Sequence, residues 1–400
     1  MKTSLILFFL CVSSYAQFKV YVFNVGQADS QLIVYPSGYS ILVDLGEQRN
    51  DPNPTNALRL EKKIEEILGK KYIDVVVLTH IHLDHFGYYG ISGLWHLFEV
   101  GNFTAGKFIE RNVGNYTGEN RKKCNNETYE FYAAGEFEKY SIEWVCYADS
   151  IKDQTKVSKI REIADICSTT QINPPDNDSE VEIFTSNGYG AVRWDGSPVE
   201  ANYYNQPMMP SENDYSIGLR IKYGNFIYAT SGDLDGGYYY SYGTTINNIE
   251  VEIKDVVGSV DVLRANHHGS KHSNSWDYLS ITQPVVSIIS CGFNNTYGHP
   301  HPNAAYRLTQ MSQKVFATNI CNSKVSFNNY HEMVDDIIIT VNSTNATQFS
   351  ISNSDNSYYE LFNIKTRKQQ RKICVPPSND FDDSSSTLFV VLTILLIFFI

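Results

Sequence analysis

The sequence predicts an α/β fold, on three observations. Short runs rich in β-branched and aromatic residues open the chain, a segment of helical period follows, and a nearly continuous apolar run comes next. Residues 18–25 (FKVYVFNV), 31–35 (QLIVY) and 40–44 (SILVD) read as three successive strands, punctuated by Gly26 and by Pro36–Gly38. From Thr55 the period changes. Leu58, Ile64, Ile67 and Leu68 mark one face of a helix, and Gly69 is its expected stop. Residues 73–79 (IDVVVLT) then form an apolar strand of the kind buried on both faces.

Helix is expected again over 85–98, a hairpin over 215–222 and 226–231 turning near Gly224-Asn225, strands at 260–265 and 284–291, and helices around 274–281 and 302–313. Residues 100–212, rich in Asn, Tyr and Gly, read as a long disulfide-stapled insertion, and 334–363 as added strands. The core domain therefore spans about 17–330, followed by added strands and a basic segment over 331–375. The basic run Lys365, Arg367, Lys368, Arg371 and Lys372 reads as a solvated stalk before Pro376-Pro377.

Both ends point to the secretory route. Residues 3–10 (TSLILFFL) behind Lys2, with Ser14-Tyr15-Ala16 following, form a signal peptide over 1–16. Residues 388–400 (LFVVLTILLIFFI) fall short of the ~20 apolar residues that span a bilayer. Behind Ser378, Asn379, Asp380 and a polar spacer, they make 376–400 a stalk and glycosylphosphatidylinositol attachment signal, with a tail-anchored helix as the alternative. A membrane-associated or secreted glycoprotein is expected. Sequons begin at Asn102, Asn115, Asn126, Asn177, Asn294, Asn342 and Asn345. Beyond Cys11 remain Cys124, Cys146, Cys167, Cys291, Cys321 and Cys374, an even set without Cys-X-X-Cys pairing, which favours disulfides over zinc fingers. The net charge of −12 opposes long-range capture of a nucleic acid. Oligomeric state is not legible.

The chemistry concentrates in His80-Ile81-His82-Leu83-Asp84-His85, directly after the buried strand. Imidazoles suit zinc and a carboxylate adds a harder ligand, so His80 and His82 can take one metal and Asp84 with His85 a second. Further ligands must come from other strand ends. Asp233 in Ser231-Gly232-Asp233 can bridge two metals, and either His267 or His268 can be terminal, with His268 favoured because it precedes Gly269.

These motifs carry a resemblance. Asn24–Asp29, ILVDLG at 41–46, THIHLDH at 79–85, SGD at 231–233, HHGS at 267–270 and Asn294–Pro300 resemble, in order, the ComEC-type competence-protein hydrolase domain of the metallo-β-lactamase superfamily. The resemblance implies an αββα sandwich with one or two zinc ions, or manganese, at one edge, and hydrolysis by a metal-bound hydroxide. It implies Asp44 as a buried support for the histidine loop, His80, His82, Asp84 and His85 as ligands and Asp233 as the bridge; on electrostatic grounds Asp84 or Asp233 can orient the nucleophile and carry its proton. His299 is implied as a substrate-side or proton-handling residue, or else a loop histidine fixing the turn before Pro300. His96, His272 and His301 read as surface or packing residues. Many superfamily members carry a further histidine before the bridging aspartate; here Asn213-Asp214-Tyr215-Ser216 stands instead, so one metal can be under-coordinated.

The expected activity is hydrolysis of a phosphodiester or other ester, DNA included. A lactone, thioester or lactam hydrolase is the alternative, and a metal-stabilised surface binding protein without turnover the rival from another class.

Overall fold

The computed structural model describes residues 17–48, 53–112, 121–123, 130–132, 143–148, 161–190, 209–241, 244–367 and 371–376. In chain order these form β1 (Phe18–Val22), β2 (Ser30–Val34), β3 (Ser40–Leu45), α1 (Thr55–Leu68), β4 (Tyr72–Val77), α2 (Leu83–Phe86), α3 (Gly93–Glu99), β5 (Thr104–Glu110), β6 (Arg121–Lys123), β7 (Glu130–Tyr132), α4 (143–148), β8 (Glu162–Ile163), β9 (Ser179–Thr185) and β10 (Met209–Pro210). Then come β11 (Gly218–Tyr223), β12 (Phe226–Thr230), β13 (Tyr239–Ser241), β14 (Thr244–Ile246), α5 (Ile249–Val257), β15 (Val262–Arg264), α6 (Trp276–Thr282), β16 (Val286–Ile289), α7 (Pro302–Met311), β17 (Lys314–Ala317), β18 (Tyr330–Glu332), β19 (Ile337–Val341), β20 (Gln348–Ser352) and β21 (Tyr359–Asn363).

Two sheets carry the architecture: β21-β20-β19-β1-β2-β3-β4-β5-β8 and β18-β17-β16-β15-β12-β11-β9. Side chains alternate faces along a strand, so each strand can feed two cores. On β2, Ile33 points into the core between the sheets while Leu32 and Val34 meet the helices, and on β3 Ile41 and Val43 point inward while Leu42 and Leu45 point outward. The central core joins Val20, Val75 and Val77 to Ile221, Tyr228, Val286 and Phe316 of the second sheet. Outside it, α1 and α3 cover the first sheet and α5, α6 and α7 the second. The fold is thus an αββα sandwich, as the motifs led one to expect.

Several local expectations need correction. The buried stripe of α1 is Ala57, Leu60, Ile64 and Leu68, whereas Leu58 is exposed; Gly69 closes the helix in the left-handed region at φ 67°. The helix expected over 85–98 is two, α2 and α3, because Gly87 and Gly93 adopt φ of 84° and 63° where the chain turns. The expected insertion also shrinks. β5 pairs in parallel with β4, and β9 pairs antiparallel with β11, so both ends of 100–212 belong to the sandwich. Gly106 and Lys107 in β5, and the charges of SEVEIFT in β9, masked their strand character. Most of the remainder, 113–160 and 191–208, lies outside the described residues, although Trp144 of α4 is buried against Phe86 and Phe108.

The basic run is no free stalk. Arg367 pairs with buried Asp261, Arg371 with Glu182 and Lys372 with Asp255, and Cys374 is bonded to Cys167. Lys368 lies outside the described residues, as do the expected leader, Cys124 and the terminal attachment signal. Cys291 is bonded to Cys321, and Cys146 is also disulfide-bonded, consistent with an oxidising compartment. The described sequon asparagines are all exposed. Among the described residues no helix is long and apolar enough to cross a membrane.

Candidate metal centre

The site forms where strands of both sheets end together at their carboxyl edges. β3 carries Asp44 next to its last residue, β4 leads into His80–His85, β12 into Asp233, β15 into His267 and His268, and β16 into the loop that ends at His299. The histidine loop is docked onto its neighbours by backbone. Asp29 N–H donates to Asp84 O at 2.8 Å and Glu47 N–H to Leu83 O at 3.2 Å. Gly46 lies so close to the Asp84 carbonyl that a Cβ would collide with it.

Four residues bring ligand atoms together: Asp84, His85, Asp233 and His268, all within 4.8 Å of one another. His85 Nε2 lies 3.3 Å from Asp233 Oδ1; His268 Nε2 lies 3.4 Å from Asp84 Oδ2 and 3.6 Å from Asp233 Oδ2. The far nitrogen of each ring is committed elsewhere. His85 Nδ1 donates to Asp44 Oδ2 at 2.8 Å, and His268 Nδ1 donates to the Ser290 carbonyl at 2.8 Å. Each ring therefore turns an unprotonated Nε2 inward when neutral, the arrangement that outer partners impose on metal-binding histidines.

His267 stands beside this group. Its Nδ1 donates to Asp235 at 3.0 Å and its Nε2 is 3.8 Å from Asp233 Oδ2. His80 and His82 share the floor and rim, with His80 Nε2 at 3.0 Å from His82 Nδ1 and the His80 ring 4.1 Å from that of His85. His299 closes the far side, its ring 5.3 Å from that of His267 and its Nδ1 3.3 Å from Gln27. Its loop is fixed by Asn295, which accepts from His299 N–H at 2.8 Å, and by the Cys291–Cys321 disulfide. Of the other histidines, His96 is buried against Glu61, His272 stacks on Tyr239, and His301 caps α7 by accepting from Asn303 N–H.

The charges interlock. Burial alone would lower His85, but Asp233 and Asp44 outweigh it and hold the imidazole well above its ordinary value. Burial would raise Asp84 and Asp233, yet His268 and His85 hold both below the usual carboxylate range. Burial, with His85 and His82 adding to it, pushes His80 well down. The site thus sets a neutral imidazole at His80 beside ionised carboxylates at Asp84 and Asp233, with His85 holding a proton between Asp233 and Asp44. A divalent cation suits that donor set, and its binding would release the proton on His85. Hydrogen-bond geometry agrees. His85 Nε2 and Asp233 Oδ1 meet only as an ion pair at 3.3 Å and His268 Nε2 only at 3.4 Å from Asp84, so these atoms and Asn213 Oδ1 are buried without a well-formed hydrogen bond, a rare state for buried polar atoms.

Sequence reasoning passed over several supports. Arg264 is fully buried and joins Asp29 at 2.8 Å to the Gly232 carbonyl at 2.8 Å, beneath Asp233. Asp233 N–H donates to Ser216 Oγ at 3.1 Å, and Asn213 Nδ2 lies 3.4 Å from His267 Nε2, so the Asn213–Ser216 element does face the site. Asp235 and Ser290 act through the histidines they orient. A lone Asp235 or Ser290 has no motif to betray it.

The αββα sandwich with its cluster of ligand atoms at one edge is the arrangement that the resemblance implied. The chain is similar to ComE operon protein 3 of Bacillus subtilis, 32% identical over 115 residues, covering 28% of this chain and 13% of that protein. It is similar also to Recombination protein 2 of Haemophilus influenzae, 29% identical over 110 residues (28% of this chain, 13% of that protein). Competence protein ComA of Neisseria gonorrhoeae is 27% identical over 129 residues, 32% of this chain and 17% of that protein. The resemblance to the ComEC-type hydrolase domain is borne out, and the chain spans less than a fifth of each of these relatives. No family model matches the chain. Among solved structures it is similar to a diphosphatase of the PhnP family, 10% identical with a TM-score of 0.35 over 81% of this chain and 98% of that one. A metal-dependent hydrolase of the β-lactamase superfamily is 11% identical with a TM-score of 0.36 over 76% of this chain and 96% of that one.

Proposed function

We propose that the protein is an extracytoplasmic metal-dependent hydrolase that cleaves phosphodiester or related ester bonds, with DNA as its leading substrate. The observation that carries this reading is the convergence of Asp84, His85, Asp233 and His268 within 4.8 Å at the edge of both sheets. His80, His82, Asp84, His85, Asp233 and His268, with His267 beside them, would hold one or two zinc ions, with manganese as the other fitting metal. When bound, such an ion lowers the pKa of water from about 15.7 to about 7 and polarises the bond to be broken.

The chain's own groups do the rest. Asp233, between His85 and His268, and Asp84 orient the attacking water and accept its proton. Asp44, Ser290 and Asp235 keep the rings turned so that the proton sits on Nδ1 and not on Nε2. His299, buried and held by Asn295, faces the substrate side and serves the leaving oxygen. DNA is favoured over lactones by the similarity to proteins named for competence and recombination. The disulfides support an extracytoplasmic location. The test is a panel of DNA, bis-p-nitrophenyl phosphate and lactones assayed with metal supplied and withdrawn. Metal-dependent cleavage of the diesters is expected. A folded protein that neither binds metal nor turns over any of them overturns the reading.

A further inference from the structure

Between His80 and His82 the backbone N–H of Ile81 donates to Glu212 Oε1 at 2.9 Å. That carboxylate is itself gripped by Arg111, Nε to Oε1 at 2.6 Å and NH2 to Oε2 at 2.5 Å, and neither side chain has any exposure. The guanidinium is held further by the Asn112 carbonyl at 3.0 Å and lies 4.4 Å over the Tyr215 ring. Arg111 follows β5 and Glu212 opens the turn before β11, so the pair ties the edge of the first sheet to the second through the histidine loop.

A buried ion pair is a poor source of stability, because desolvating two charges offsets most of their attraction. Its recurrent use is to fix one arrangement. A forked guanidinium on a carboxylate fixes both planes, and Oε1, which accepts from Arg111 Nε, also accepts from the Ile81 amide and fixes it. The same turn also carries Ser216, which accepts from Asp233 N–H, and Asn213, which faces His267. One short turn thus touches three of the strand-end loops that build the metal centre.

From this geometry we infer that Arg111 and Glu212 are positioning residues that set the spacing of His80 and His82 for the metal, through the Ile81 amide. The inference rests on the metal-dependent reading above. It assigns the segment next to β5 and the turn before β11 a share in metal affinity, although neither supplies a histidine.

The test compares zinc affinity, by chelator competition, with thermal unfolding of metal-stripped protein. Arg111→Met with Glu212→Leu removes both charges together, so no lone charge is left buried. Glu212→Gln is a nearly isosteric second variant with one acceptor oxygen in place of two. Asp261→Asn breaks a comparable buried pair, with Arg367, at the opposite end of β15, and controls for general destabilisation. Loss of an outer partner of a metal site lowers affinity 10- to 100-fold, roughly. We expect a loss in that range for the double variant, a smaller one for Glu212→Gln and none for Asp261→Asn, whatever the melting temperatures do. Wild-type affinity in both the double variant and Glu212→Gln overturns the inference while leaving the proposed function intact. Wild-type protein that binds neither zinc nor manganese overturns the proposed function, and the inference with it. Should the double variant not fold, Glu212→Gln decides.

Discussion

Asp44 meets His85 at the floor of the site, Oδ2 to Nδ1 at 2.8 Å, with both side chains fully buried. The same carboxylate accepts from Thr79 N–H at 2.8 Å and Thr79 Oγ1 at 2.7 Å. Asp44 adopts φ 60°, a conformation that Asp and Asn tolerate better than other side chains. One residue therefore joins the end of β3, the end of β4 and a metal-facing ring.

Replacing Asp44 separates these duties. Asn keeps the backbone conformation but offers one acceptor oxygen to three donors, so His85 loses its orienting partner or Thr79 does. Asp44→Asn should lower zinc affinity about 10- to 100-fold and cost about 1–3 kcal/mol for the unsatisfied donor. Asp44→Ala should destabilise further, since Ala at positive φ adds about 1 kcal/mol or more of strain. Chelator competition and urea unfolding measure the two effects. Unchanged zinc affinity in Asp44→Asn would show that His85 is oriented by other means.

Asp214 gives a pH signature away from the ligands. Burial raises its carboxyl well above the ordinary value, and the bonds from Asn247 and Ser211 only partly offset this. In the unfolded chain the group ionises near pH 3.9, so between that pH and its folded pKa the native state binds the extra proton. Its contribution to stability is thus full below about pH 3.9 and declines as pH rises through the folded value. The stability of wild type minus that of Asp214→Asn should shrink from pH 4 toward neutrality, by at most about 1.4 kcal/mol per pH unit. A margin that is flat or grows with pH contradicts this.

The His299 loop should affect turnover and leave metal loading alone. Gln27, Asn295 and the Cys291–Cys321 disulfide all hold it, and none of them reaches the four-residue cluster. His299→Ala should reduce kcat by about a hundredfold or more, the usual size of a lost proton-transfer group, with zinc content unchanged. Cys291→Ser with Cys321→Ser should give a milder fall in kcat. Loss of zinc in His299→Ala would instead make it a ligand.

Much of this site was legible because it sits at strand ends with recognisable punctuation. Asp44, His80–His85, Asp233 and His267-His268 each close a strand that hydrophobic patterning could find. The supports were harder. Glu212 and Arg111 lie in the stretch read as an insertion, because β5 contains Gly106 and Lys107 and β9 alternates charge with apolar residues. Arg264 looks like a surface residue in a short strand, and only the packing shows it fully buried on Asp29. The basic run at 365–372 likewise read as solvated because its partners, Asp261, Glu182 and Asp255, are more than 100 residues away. Local pattern reports an element's own face. It does not report which distant charge will meet it.

Substrate choice remains a contest between charge and chemistry, and salt can decide it. The chain carries a net charge of −12, which repels a polyanion at long range. Two divalent ions would add four positive charges beside Asp84 and Asp233, making a local patch that a phosphodiester backbone can engage. If DNA is the substrate, each phosphate engaged releases counterions, and log affinity should fall linearly with log salt at about −0.7 to −0.9 per phosphate. A small diester or a lactone engages one phosphate or none, so its turnover should be nearly flat across the same series. The measurement is metal-dependent kcat/KM for DNA and for bis-p-nitrophenyl phosphate from about 20 to 200 mM salt, a range over which several phosphate contacts change affinity by orders of magnitude. A steep decline for DNA beside a flat response for the small diester supports the nuclease reading. No DNA cleavage at the lowest salt, beside brisk turnover of a lactone, would assign the centre to the smaller esters.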